Sequence, residues 1–478
     1  MRLKLMTLAV MLAATSLPSH GEDLLEAYQQ ARANDPTLAQ VDANRRAVGN
    51  EGVAQARAVL LPQINATATL QQVSGGSSNS SSSGLGGLGS GGADYLCSGI
   101  GAGAGTYQCS AFSASNSANG SSGHTRSRNL SASLDQVIFN LADFANLRAA
   151  HSTSNAQDLL YTVAAQNLYV RVASAYLTVL TNEDALTFAK ASEASFKQSY
   201  DQADQQFKVG ISAITDVYTA KANYEAAKAQ TITAENTLND SKEALTQITG
   251  KPVGELKRLR DDLPLDPPVP SEADTWVQNA MKNNPQLLSD QQSVEAAEHS
   301  VNAARSGHLP TIGASVSRGK DTTWYEHGSA DYAGNGRFGT TIGVTLTVPI
   351  FSGGATQSRV RQSIDQRDVA QDQLEIDRRL AVRNTLNYYR SVLAGISEVQ
   401  SGKAAVDSGQ KALDATKAGF GVGTKTMTDV LLSIQTLTQS ENTYSQARHQ
   451  FVLDKLQLKQ SAGTIEYQDL EEVNRLLQ

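Results

Sequence analysis

Aromatic residues make up only 6% of the 478 positions, which suits long thin helices better than a thick core. Proline is absent between Gln63 and Lys251 and again after Pro349, so nothing in either interval forces a helix to stop. No window beyond the N-terminus approaches the ~20 uninterrupted apolar residues of a membrane-spanning helix. If the chain spans a membrane, it does so with strands. The formal charge is −7 and no basic stripe exists, which excludes a phosphate-backbone partner and with it nucleic acid. Neither a zinc-hydrolase helix motif nor a nucleophile elbow occurs, and the seven histidines are scattered. Gly101-Ala102-Gly103-Ala104-Gly105 has no strand-to-helix switch around it and no following Lys, so it reads as low complexity. The chain is therefore not read as an enzyme, and no cofactor or metal is expected.

Residues 1–21 are expected to be a signal peptide: Arg2 and Lys4, an apolar run from Leu5 to Ala14, then Ser19-His20-Gly21. The only cysteines, Cys97 and Cys109, lie far from this site, so no lipid-attachment cysteine is present. Their close spacing in an exported chain reads as one local disulfide.

What is present is organised around two stretches. Phe207-Lys208-Val209-Gly210-Ile211-Ser212-Ala213-Ile214-Thr215-Asp216-Val217 matches Phe420-Gly421-Val422-Gly423-Thr424-Lys425-Thr426-Met427-Thr428-Asp429-Val430 at six of eleven positions without a gap. Each carries a Val-Gly breaker between long proline-free flanks, which predicts a tight turn between two long helices, twice. The 213-residue offset carries Thr249-Gly250 onto Ala462-Gly463. Beyond the turns large residues recur every seventh position: Val217, Tyr224, Thr231, Leu238 and Leu245, then Val430, Leu437, Tyr444, Phe451 and Leu458. That period marks a left-handed coiled-coil seam.

The duplication extends over nearly the whole mature chain. Asn34-Asp35-Pro36 and Leu60-Leu61-Pro62 have counterparts in Asn283-Asn284-Pro285 and Leu309-Pro310. A first repeat is expected over 22–250, with a β-hairpin at 63–139, its Gly/Ser-rich loop at 74–128, and a long helical hairpin at 141–250. A stiff, exposed proline-rich linker occupies 251–270. The second repeat, 271–463, has its β-hairpin at 311–351 and its helical hairpin at 355–463, leaving 464–478 as a C-terminal segment. The clearest strand alternates Ile342, Val344, Leu346, Val348 and Ile350 with small or polar residues, paired with Ile312, Ala314 and Val316. Lys320 to Arg337, holding Trp324, Tyr325 and Tyr332, reads as its loop. The expected fold is mainly α with membrane β.

Four alternating strands fit an outer-membrane barrel but cannot close one, and an open edge in lipid is not tolerated. Two chains would give eight strands with a filled interior; three would give twelve and a lumen, which favours three. The duplicated helix–strand–strand–helix–turn–helix plan, the Asn-Asp-Pro and Asn-Asn-Pro breaks, Leu-Pro before each hairpin and the paired Val-Gly…Thr-Asp-Val turns resemble the TolC family of outer-membrane efflux and type I secretion channels.

That resemblance implies a homotrimer in the outer membrane, with a twelve-stranded barrel and a helical tunnel reaching into the periplasm. It implies partners too: a periplasmic adaptor and an inner-membrane ABC or proton-driven transporter. It places a gate at Asp429, with Leu432 one turn on, and a link between turns at Lys425 and Phe420 facing Thr215 and Asp216. Phe420 has no hydroxyl and Lys425 lacks the bidentate geometry of Arg, so the closed state would be held less tightly than in members with Tyr and Arg. The adaptor would dock on Val209, Gly210, Ile211, Val422, Gly423 and Thr424. An acid in a helix's first turn is also favoured by the helix dipole alone. A trimeric coiled-coil adhesin with a shared barrel is the alternative, although adhesin barrels sit at one terminus and these hairpins interrupt the helices twice.

Overall fold

The computed structural model describes residues 22–74, 95–99, 107–111, 124–326 and 334–478. The segment 1–21 lies outside them. Two compact units form: a helical one, through Ala58 with Leu141–Leu309 and Ile350–Gln478, and a strand unit, Val59–Asn140 with Pro310–Pro349.

The helical unit holds α1 (Leu24–Asn34), α2 (Pro36–Asn44), a π-helical turn, α3 (Glu51–Ala58), α4 (Leu141–Lys208) and α5 (Ile214–Thr249). The second half repeats the plan with α6 (Ala273–Asn283), α7 (Pro285–Arg305), α8 (Ala355–Gly421) and α9 (Met427–Ser461), followed by α10 (Tyr467–Asn474). At 68 residues α4 is about 100 Å long. It packs on α5, α7 and α9, while α8 packs on α7 and α9.

Burial follows the seven-residue repeat: Val217, Leu238 and Leu245 on α5, and Val430, Leu437, Phe451 and Leu458 on α9, are buried. The answering surface on α8 carries glycine at the same period. A Cβ added at Gly395, Gly402 or Gly409 would lie 3.2–3.4 Å from Phe451, Tyr444 or Leu437 respectively. Each large knob of α9 thus seats against a bare stretch of α8 backbone, where a Cβ at 395 or 402 would press its neighbour by a few tenths of an ångström.

The Asn-Pro breaks serve the ends of other helices. Asp35 caps α2 by accepting from the Leu38 N–H at 2.9 Å, with Pro36 at the first helical position. Asn34 Nδ2 donates to the Thr249 carbonyl at the end of α5, and Asn284 Nδ2 to the Ser461 carbonyl at the end of α9. Gly250 and Gly463 follow with φ of 72° and 71°. At Gly463 a Cβ would fall 2.4 Å from the Asn283 carbonyl oxygen.

The linker 251–270 differs from the expected exposed connection. Leu256 and Leu259 are buried, Glu22 N–H donates to the Glu255 carbonyl, and Arg258 and Gln478 exchange two backbone hydrogen bonds. The buried Tyr176 hydroxyl reaches the Glu22 and Lys257 carbonyls at 2.9 and 3.0 Å. Proline kept this segment out of a helix, and its free backbone groups paired with both ends of the described chain instead. Leu24, Tyr28, Leu168, Val172, Leu456 and Leu470 form the core beneath it.

The strand unit is an antiparallel sheet in the order β1 (Gln63–Ser74), β4 (His124–Phe139), β5 (Thr311–Glu326), β7 (Gly339–Thr347); the short β6 (Gly334–Asn335) also pairs with β5. The hairpin β2 (Tyr95–Gly99) and β3 (Tyr107–Ala111) is separate. Strands β4 and β5 run 16 residues each, well into stretches read from sequence as the loops 74–128 and 320–337. Apolar alternation ends there, but ladder hydrogen bonds need only backbone and continue through Arg126, Arg128 and Lys320. The register sets Cys97 opposite Cys109; their side chains, with those of Trp324 and Tyr325, and the whole of Tyr332, lie outside the described residues.

Two left-handed glycines, Gly210 at φ 78° and Gly463 at φ 71°, separate conformational strain from crowding. At Gly210, φ is 78° and a Cβ would meet nothing within 4 Å. Gly210→Ala should therefore cost about 1 kcal/mol and Gly463→Ala roughly 2 kcal/mol or more. Thermal melts of the detergent-solubilised chain followed by circular dichroism check the order; equal losses would mean that crowding at Gly463 is relieved.

Candidate functional site

Strand parity gives the sheet two unlike faces. On one, Ile64, Leu134, Val316 and Ile342 share a rung, and Val344 and Leu346 continue it. Ile64 is 74% exposed and Ile342 77% exposed in the single chain, so these side chains face a surface that water does not favour. The other face presents Asn65, Ser133, Ser317 and Thr341 on one rung, and beside it Thr67 and Ser131 pair with their hydroxyls 2.7 Å apart. Alternation of this kind is what a barrel between lipid and lumen requires. Among the described residues no helix is long and apolar enough to cross a membrane.

The two turns are built bond for bond alike. Gly210 N–H donates to Phe207 and Ile211 N–H to Gln206; Gly423 N–H donates to Phe420 and Thr424 N–H to Gly419. Both glycines are left-handed, at φ 78° and 80°. This double bond pattern is the Schellman closure of a helix C-terminus. It leaves Val209, Ile211 and Val422 projecting, 69%, 78% and 77% exposed.

Past the second turn Thr426 and Asp429 form a capping box. Asp429 Oδ2 accepts from the Thr426 N–H at 2.9 Å and from its hydroxyl at 2.8 Å. These bonds hold the Asp429 carboxyl below the usual carboxylate range, with Lys425 adding to the effect. Leu432 is exposed one turn on. In the first turn Asp216 accepts from the Ser212 hydroxyl at 2.9 Å. Lys425 lies against Gly419, and no hydrogen bond or ion pair within the described chain joins it to Thr215 or Asp216. Phe420 does reach the other coil's side, packing in one cluster with Val217, Met427 and Val430.

A polar seam between α4 and α9 had no sequence signal, because its members are distant in the chain. Arg448 donates to the carbonyls of Leu259 and Arg260 at 3.2 and 2.6 Å, and Ser445 to Asp184 at 2.6 Å. Thr181 Oγ1 donates to the Leu177 carbonyl and lies 3.0 Å from His449 Nδ1. Among the described residues no cluster of three or more His, Cys, Asp or Glu is arranged to hold a metal ion.

A sheet with a lipid face and a hydroxyl-rich face, joined to paired coiled coils closed by identical turns, defines a subunit of an outer-membrane channel. The chain belongs to the outer membrane efflux protein family, whose profile matches residues 27–251 and 276–464. It is 31% identical over 473 residues to outer membrane protein TolC of Escherichia coli, covering 98% of this chain and 87% of that one. With TolC of Vibrio cholerae it shares 33% over 479 residues, 98% of each. The crystal structure of the outer membrane protein VceC from Vibrio cholerae superposes with a TM-score of 0.69 at 16% identity, over 92% of this chain and 96% of that one. The protein is thus an outer-membrane channel of the efflux and type I secretion kind.

Burial pushes His449 down to about 4 from its ordinary 6.5, with Arg448 acting the same way and Asp184 against it. The unfolded chain therefore takes up this proton first as pH falls. Stability from His449 is full above about pH 7 and is lost between about pH 6.5 and about 4, by up to about 3 kcal/mol. His449→Asn should flatten the acid side of a melting-temperature profile; an unchanged slope would remove His449 as its source.

Proposed function

We propose that three copies of this chain close one twelve-stranded barrel and set their coiled coils around a common duct, forming the outer-membrane exit of a tripartite efflux or type I secretion system. The observation that carries this is the sheet: of its described strands, β1 and β7 each pair on one side only. Such edges in hydrocarbon each leave a row of backbone groups unsatisfied, and pairing β7 of one chain with β1 of the next removes them. Projecting Val209, Ile211 and Val422 supply apolar tips for a periplasmic adaptor's helical hairpin, which an inner-membrane ABC or proton-driven transporter would engage. The purified protein should have the mass of a trimer in detergent. Gly423→Trp should keep that mass while abolishing export; a folded monomer in membranes would end the shared-barrel reading, and normal export by the variant would remove this turn from docking.

The gate reading concerns Asp429, with Leu432 beside it as an apolar collar. Within one chain the capping box favours its charged form; a threefold ring adds mutual repulsion in the opposite direction and a site for multivalent cations. A Lys425–Asp216 link, absent within the chain, would have to form between neighbouring subunits, beside Phe420 and Thr215. Asp429→Ala should weaken block by trivalent cations in planar-bilayer recordings and reduce cation preference, whereas Lys425→Ala should raise resting conductance. If Asp429→Ala left block and selectivity as they were, Asp429 would be a helix cap alone.

A further inference from the structure

The lipid-side face of the sheet changes chemistry toward its hairpin ends. Lys320 pairs in register with Leu130, Arg318 with Ala132, Arg128 with Leu70 and Arg126 with Gln72. Parity puts all four cations on the face that carries Ile64, Leu134, Val316 and Ile342. The opposite face carries no cation among the described side chains of these strands; its charges are Asp135 and Asp321. Nor does the lipid-side face carry one at the strand ends that join the helices.

The position matches a headgroup layer. Leu130 to Phe139 spans about 30 Å along β4, or about 23 Å across a membrane at the usual tilt, close to the ~25 Å apolar band of such barrels. Lys320 stands level with Leu130 at the end of that band, Arg318 one same-face position inside it, and Arg126 and Arg128 lie beyond it. A charge on the lipid face is costly at mid-membrane and nearly free at the interface, so four on this face belong at the interface. Their side chains lie along the surface: Arg126 Nε donates to Gln72 Oε1 at 3.0 Å, and the Arg318 guanidinium stands 5.8 Å from the Phe338 ring centroid.

We propose that Arg126, Arg128, Arg318 and Lys320 form a binding surface for the phosphates of outer-leaflet lipid headgroups. Guanidinium forks match phosphate oxygens, and the one-sided placement addresses a single leaflet. The inference rests on the barrel reading above, with the helix-joined strand ends toward the periplasm.

The test is native mass spectrometry of the full-length protein in detergent, offered bisphosphorylated lipid A, the same lipid without phosphates, or phosphatidylethanolamine. The wild type should retain the phosphorylated lipid preferentially, and each neutralised charge should cut retention about fivefold at low salt. The triple variant Arg128→Gln, Arg318→Gln, Lys320→Gln should lose the preference while the corresponding Lys variants at 128 and 318 keep it. Should the triple variant fail to fold, Arg318→Gln and Lys320→Gln singly carry the same expectation. Equal retention of phosphorylated and phosphate-free lipid, or undiminished retention by the variants, would overturn the proposal. Planar-bilayer conductance of the wild type reads the channel separately: its absence would sink the duct reading, while lipid retention still reports on this surface.

Discussion

Hydrocarbon leaves a backbone N–H or C=O no partner but another backbone group, and that constraint governs this chain. A four-stranded sheet with one apolar, exposed face has two edges to satisfy, and no residue of the described chain pairs with them. Helices, whose bonds are internal, carry no such debt. The long coiled coils can therefore be polar on their outer sides, and their charge and Gln-rich surfaces need no further explanation.

Within the helical unit the governing device is close approach at a seven-residue period. Phe451, Tyr444 and Leu437 meet glycines of α8, and the first repeat has no such row at the equivalent positions, where Asn182, Ala189 and Phe196 stand. The two halves share a plan but not this glycine row. The Schellman turns repeat faithfully, since their geometry is fixed by a left-handed glycine and two backbone bonds rather than by neighbours.

The polar seam around His449 and the zipped linker act together. Arg448 spends its hydrogen bonds on linker carbonyls, and Tyr176 ties the linker to Glu22. Helices α4 and α9 and both ends of the described chain are thus fastened at one level of the helical unit. The cost is acid sensitivity, because a histidine buried in its neutral form resists protonation.

Local and periodic features were legible in the residues themselves: the heptad seam from Val217 and Val430, the left-handed glycines at the turns, the helix-breaking prolines and the alternating strand at Ile342. Each depends on a few neighbouring residues, and periodicity survives without tertiary information. What only the folded chain decided depends on partners far apart in sequence. The ladder carried β4 and β5 past their apolar residues. The linker's carbonyls found Arg448, and Asp216 accepts from Ser212 within the chain. Parity in a paired sheet gathered Arg126, Arg128, Arg318 and Lys320 on one face, because register, which the strands set jointly, determines which side chains are neighbours.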